Sequence, residues 1–130
     1  MALWLCGSVV LISALCPEVL LEPTSPILDH ACSPKADPSW FGYVITVRPV
    51  SGLERARIVA ALEEAKIETR NLFCGNLLRH PAYEGIEHRI AEPLVNTDLI
   101  TTNTFFIGVY PGLTDPMIDH MIETLDKALG

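Results

Sequence analysis

Five prolines, at positions 17, 23, 26, 34 and 38, divide this 130-residue chain before any fold is considered. Proline lacks a backbone N–H and its ring clashes with the preceding helical turn, so this spacing denies residues 17–38 a sustained helix. They read as a linker or extended lead-in. Residues 1–38 are thereby an apolar segment with its lead-in, and residues 39–130 are the unit that can bury one core.

The first sixteen residues, MALWLCGSVVLISALC, are apolar. No Lys or Arg precedes Lys35, no A-x-A site follows, and Leu15 stands before Cys16 where a lipoprotein signal needs a small residue. The run is also too short to cross a bilayer. A helix segment packed on the rest of the protein is favoured over export, and an artefact of where the reading frame was started is a third reading.

Sixteen acidic against nine basic residues give a formal charge of −7, which disfavours nonspecific binding to nucleic acid or to an anionic membrane. The acids are spread over the helical stretches and read as solvated faces. Cys6, Cys16, Cys32 and Cys74 contain no CxxC pair, so neither a zinc ribbon nor a redox dithiol is indicated. Free thiols in a reducing, cytoplasmic setting are expected. His30 and Cys32 alone are a weak metal signal, and no metal ligand is assigned.

From Trp40 to Val47, aromatic and branched residues predict a central strand, with Phe41, Tyr43, Ile45 and Val47 on one face. Ser51 and Glu54 form an S-x-x-E pattern, a capping box for a helix over about Leu53–Lys66 whose buried side carries Leu53, Ile58, Val59, Leu62 and Ala65. Residues 67–73 read as a second strand, 91–104 hold a short helix, and 105–110 form a third strand. Thr114, Asp115 and Pro116 open a last helix with Met117, Ile118, Met121, Ile122, Leu125, Ala128 and Leu129 inward. The expected architecture is a two-layer α+β unit, a small sheet of about three strands with helices on one face. Phe105, Phe106, Tyr110 and Trp40 are a surplus of aromatic area for the sheet's other face, which needs a partner.

The polar residues concentrate in ETRNLFCGNLLRHPAY, Glu68–Tyr83, where a strand runs into a loop. Arg70 at the strand end can grip a phosphate or carboxylate through two parallel hydrogen bonds, or pair with Glu68 or Glu84. Asn71 and Asn76 offer a donor and an acceptor to ligand hydroxyls, though asparagine beside glycine also forms turns. Gly75 supplies a positive φ or room for a ligand. Arg79 and His80 precede Pro81, so an extended backbone is expected to send their side chains apart. These six residues are the candidate substrate-binding set. Lys35, Lys66 and Lys127 lack the desolvated surroundings of a Schiff-base lysine.

Taken with SWFGYVITV upstream and NTFFIGVYPGLT downstream, the stretch resembles the C-terminal small domain of the DegT/StrS family of sugar-nucleotide aminotransferases and dehydratases, over about residues 39–130. Aminotransferases of that family commonly carry a KPLH-like run here. This chain has Gly75 and Asn76 in place of KP and Leu78 in place of the histidine, a departure that resembles the branch of CDP-4-keto-6-deoxyglucose 3-dehydratase. The resemblance implies the fold of type I transferases, a role in deoxysugar and lipopolysaccharide biosynthesis, and a nucleotide-linked 4-keto-6-deoxyhexose as substrate. It implies pyridoxal or pyridoxamine phosphate held by a large domain that would lie upstream, with homodimer packing near the active-site mouth. On that expectation the chain binds no cofactor and has no catalytic residue or activity by itself. An aminotransferase small domain and a free-standing binding module are the alternatives.

Overall fold

Side chains alternate across a strand, so a strand covered by helices on one side sorts its residues into two environments. The computed structural model describes residues 26–28 and 39–130. The apolar run at 1–16, the remaining lead-in, and with them Cys6, Cys16, Cys32, His30 and Lys35, lie outside the described residues. The strands are β1 (Ile27–Leu28), β2 (Gly42–Val47), β3 (Thr69–Asn71) and β4 (Thr104–Gly108), and the helices are α1 (Arg55–Glu64), α2 (Val95–Asn103) and α3 (Asp115–Leu129). The sheet order is β1-β2-β4-β3, antiparallel throughout.

The three expected strands and the helices are present, and β2 is internal. A fourth strand arises within the lead-in, where Ile27 pairs with Val47 and buries its side chain. Tyr43, Ile45, Val47, Phe105 and Ile107 form the inner sheet face, and Ile58, Leu62, Ile118, Met121, Leu125 and Ala128 of α1 and α3 close over it. Phe105 and Ile45, opposite each other in the ladder, are fully buried. Buried side chains of that size stabilise by about 2–3 kcal/mol each. Thr46 and Thr104, also paired in register, bring their hydroxyls to 2.8 Å of each other.

The aromatic surplus is distributed differently from expectation. Phe105 belongs to the core and Trp40 packs against it, whereas Tyr110 is exposed. Phe41 precedes the strand proper, so it escapes the alternation and lays its ring against Phe106 on the outer face, with centroids 5.6 Å apart. Phe73 approaches Phe106 from the other side at 6.3 Å. Gly42 makes this possible, because a Cβ there would come within 2.8 Å of the Phe106 ring. Phe41 and Phe73 are 68% and 78% exposed, so the outer-face aromatics are these two over Phe106.

The capping box does not form. Pro49–Ser51 is a 3₁₀ turn, and the Ser51 hydroxyl donates to Arg48 O and accepts from Leu53 N. The helix starts later, at Arg55, with Glu54 as its N-cap and no side-chain cap bond. Thr114 occupies the N-cap of α3 without a side-chain cap bond, and Met117 lies exposed rather than inward. At its other end α1 closes with Ile67 N donating to Leu62 O and Lys66 N to Glu63 O, the paired bonds of a Schellman motif. Lys66 takes the left-handed position there, with φ 65°. Glycine at this exposed site relieves the Cβ clash, so Lys66→Gly is expected to raise stability by about 0.5–1 kcal/mol in urea denaturation. A loss of stability would contradict this account of the turn.

Candidate functional site

β2 and β3 both run antiparallel to β4 and end where it begins, with Thr46 opposite Thr104 and Asn71 opposite Phe105. The segment after β3, the helix α2 and the entry to β4 therefore meet at one end of the sheet. The meeting is tied together by Asn103 Nδ2 donating to Val47 O at 3.0 Å and by Arg55 donating to Thr101 O and Thr104 O at 3.0 and 3.1 Å. The start of β3 is fixed separately, where Glu63 Oε1 accepts from both the backbone N–H and the hydroxyl of Thr69, each at 2.7 Å. Those two hydrogen bonds hold the Glu63 carboxyl below its usual range.

Arg70 lies on β3 opposite Phe106, on the outer face of the sheet. Its Nε donates to Glu68 Oε1 at 3.0 Å, so one of the two acids named from the sequence is its partner. The pair is largely solvent-exposed and correspondingly weak. Asn71 ends the strand and is exposed.

Beyond Phe73 the chain turns through Gly75, whose φ is +60°. A Cβ on Gly75 would meet the Thr101 hydroxyl at 2.6 Å, so glycine is required both by the dihedral and by the close approach of α2. Asn76 is only 4% exposed. Its side-chain oxygen caps the 3₁₀ turn Leu77–Arg79 by accepting from Leu78 N at 3.1 Å, its amide nitrogen donates to Asp98 Oδ1 at 2.7 Å, and its backbone N–H donates to Thr101 Oγ1 at 2.7 Å. The Thr101 hydroxyl donates onward to Thr97 O.

Arg79 sits within that 3₁₀ turn, contrary to the extended backbone expected before Pro81; His80 alone is extended. The Arg79 guanidinium makes a two-bond pair with Asp98, Nε to Oδ1 at 3.1 Å and a terminal nitrogen to Oδ2 at 2.7 Å. His80 Nε2 must donate to Cys74 O, since a carbonyl only accepts, and this bond closes residues 74–80 on themselves. Beside the loop runs a groove of about 580 Å³ lined by Leu77, Leu78, His88, Arg89, Ile90 and Leu94. The fold thus brings Gly75, Asn76 and Arg79 onto α2 and leaves Arg70 and Asn71 on the neighbouring strand.

Residues 18–126 match the model of the DegT/DnrJ/EryC1/StrS aminotransferase family. The chain belongs to this family. It is 50% identical over 99 residues to the dTDP-4-dehydro-2,6-dideoxy-D-glucose 3-dehydratase of Saccharopolyspora spinosa, an alignment covering 76% of this chain and 21% of that protein. It is 46% identical over 96 residues to the lipopolysaccharide biosynthesis protein RfbH of Salmonella typhimurium, covering 74% of this chain and 22% of RfbH. The chain therefore spans about a fifth of the length of the curated relatives it matches. Its fold is that of part of the E. coli GDP-4-keto-6-deoxy-D-mannose-3-dehydratase solved with bound hydrated PLP, with a TM-score of 0.72 at 21% identity, over 92% of this chain and 29% of the other.

Neither lysine among the described residues is placed to anchor PLP as an imine. Lys66 is exposed in the turn after α1, and Lys127 is exposed with its amine 3.6 Å from Glu123, so neither has the desolvated surroundings of a Schiff-base lysine. His88 and His120 bond to the backbone carbonyls of Ile86 and Ala65. Among the described residues no group of three or more His, Cys, Asp or Glu could hold a metal, and no helix is long and apolar enough to cross a membrane.

Asp98 and Thr101, 22 and 25 residues from Asn76 in the chain, are not among the residues that the local sequence singles out. Their spacing of three, with Thr97 one residue before, was the available signal of a polar helix face. The hydrogen bonds from Arg79 and Asn76 draw the Asp98 carboxyl from 3.8 down to about 2. A depressed carboxyl contributes stability that is complete above its unfolded value and lost as pH falls toward its folded one, here between 3.8 and about 2. NMR titration of the Asp98 carboxyl is expected to give a midpoint near 2. A midpoint at the ordinary 3.8 would show that the Asp98 contacts do not persist in solution.

Proposed function

We propose that this chain forms the C-terminal small domain of a PLP- or PMP-dependent 3-dehydratase, acting on a nucleotide-linked 4-keto-6-deoxyhexose in deoxysugar and lipopolysaccharide biosynthesis. The observation that carries this reading is the 50% identity to a sugar-nucleotide 3-dehydratase over the greater part of the chain. It is supported by Gly75, Asn76 and Leu78, which stand where aminotransferases of the family carry a KPLH-like run.

The share of the reaction given to this chain is binding and orientation. Arg70, exposed beside the outer sheet face, grips a phosphate oxygen pair of the nucleotide in place of Glu68. Asn71 offers donor and acceptor to a hydroxyl. Gly75, Asn76, Arg79 and His80 give the adjoining loop its shape, and Leu77 and Leu78 present an apolar wall to the ligand. Phe41, Phe73 and Phe106 form the face that packs against the cofactor-bearing domain, with the substrate held between the two and a second copy of the enzyme nearby. The exposed free thiol of Cys74 suits a reducing, cytoplasmic setting.

A chimera tests the proposal. In it, the matching segment of the Saccharopolyspora spinosa dehydratase is replaced by this chain, and the product is followed by mass spectrometry for loss of the 3-hydroxyl oxygen. Dehydration at more than about a tenth of the parent rate is expected, with a drop of roughly tenfold or more for Arg70→Ala. A folded, PLP-bound chimera that transfers an amino group would support an aminotransferase small domain instead, and one with no turnover would support a non-catalytic binding module.

A further inference from the structure

We propose that Asp98 is a positioning residue for the substrate loop, its carboxylate on α2 holding residues 76–80 in the shape that the sugar nucleotide meets. The inference rests on the functional reading above and names the group through which the loop residues act.

Asp98 receives three hydrogen bonds from two loop side chains, Asn76 and Arg79. A carboxylate has about four acceptor positions, so a ligand hydroxyl finds at most one left. Asn76 is nearly buried, and both polar atoms of its side chain are engaged, Oδ1 accepting from Leu78 N and Nδ2 donating to Asp98. Its effect on a ligand must therefore pass through the loop backbone it caps. Arg79 is different, since its guanidinium is exposed, and an exposed ion pair alone contributes little. The decisive group is the buried Asn76 amide. Removing the Asp98 carboxylate leaves that donor without its partner away from water, which costs more than the net gain of an ordinary hydrogen bond.

The backbone independently requires the same seat. Asn76 N–H is satisfied by Thr101, one helical turn beyond Asp98, and Gly75 has no Cβ because Thr101 lies where it would be. One face of α2 is thus built to receive residues 75–79, and Asp98 supplies the charged anchor of that face. A shift of α2 would carry the loop with it.

Amide hydrogen exchange on the 130-residue chain tests the mechanical part. In Asp98→Ala the Asn76 and Leu78 amides are expected to exchange about tenfold faster, with the Ile45 and Phe105 amides of the sheet unchanged. Unaltered protection at Leu78 overturns the proposal. Should Asp98→Ala also expose the sheet amides, Asp98→Leu is read by the same criterion, because it likewise removes the acceptor for Asn76 while keeping the side-chain volume and a good helix former on α2.

Steady-state kinetics of the chimera tests the functional part. Asp98→Ala is expected to raise KM for the sugar nucleotide about tenfold while kcat changes less than about threefold, with Asp98→Glu recovering part of the loss. Faster loop exchange with an unchanged KM reduces Asp98 to a structural contact and overturns the positioning role. An unsubstituted chimera without dehydratase activity strikes the functional reading itself, which the exchange experiment, performed on the chain alone, keeps separate.

Discussion

Covering a sheet with helices on one side only is the constraint from which the rest of this structure follows. Once Ile45 and Phe105 are committed to the core beneath α1 and α3, strand alternation sends Val44, Phe106 and Arg70 to the opposite face. That face carries no helix of the α1–α3 layer, and Phe41 and Phe73 cover Phe106 while remaining exposed themselves. An apolar outer face with a cation at its margin is suited to a second protein surface and an anionic ligand between them.

The insertion of β4 between β2 and β3 is equally consequential. It forces the chain leaving β3 to return to the same end of the sheet before it can enter β4, and the 23 residues numbered 72–94 make that return with only 3₁₀ turns. Irregular backbone of this length needs partners for its polar groups. Here they come from α2, where Thr101 and Asp98 receive the backbone and side chain of Asn76, and from the loop itself, where Asn76 caps Leu78 and His80 reaches Cys74. The loop is polar because it must be held, by Asn76 from a buried position and by Arg79 and His80 from exposed ones.

Periodicity made most of the architecture legible. Ile58 and Leu62, or Ile118, Met121 and Leu125, recur at helical intervals and are buried as that recurrence requires. The family resemblance was legible in three blocks whose order and intervals are those of a known small domain. Long-range contacts were not legible. Ser51 and Glu54 have the spacing of a capping box, yet Pro49 initiates a tighter turn that spends the Ser51 hydroxyl on Arg48. Phe41 has the parity of the inner face, yet lies outside the ladder and rotates to Phe106. Ile27 gave no strand signal among its prolines, because only the pairing with Val47 makes it one. Asn76 offered the same donor and acceptor to a ligand as to a protein partner, and nothing local in the chain distinguishes the two until α2 is folded against it.

The central claim is that β3 and the loop following it face a nucleotide-linked sugar, with Asp98 standing behind them. A crystal structure of the dehydratase chimera with sugar nucleotide bound tests this most directly. The account predicts Arg70 or Asn71 within about 3 Å of a ligand oxygen, with the Asn76 and Arg79 bonds to Asp98 intact. A ligand bound productively with no atom of residues 70–80 inside roughly 8 Å, beyond even a water-bridged contact, would contradict it.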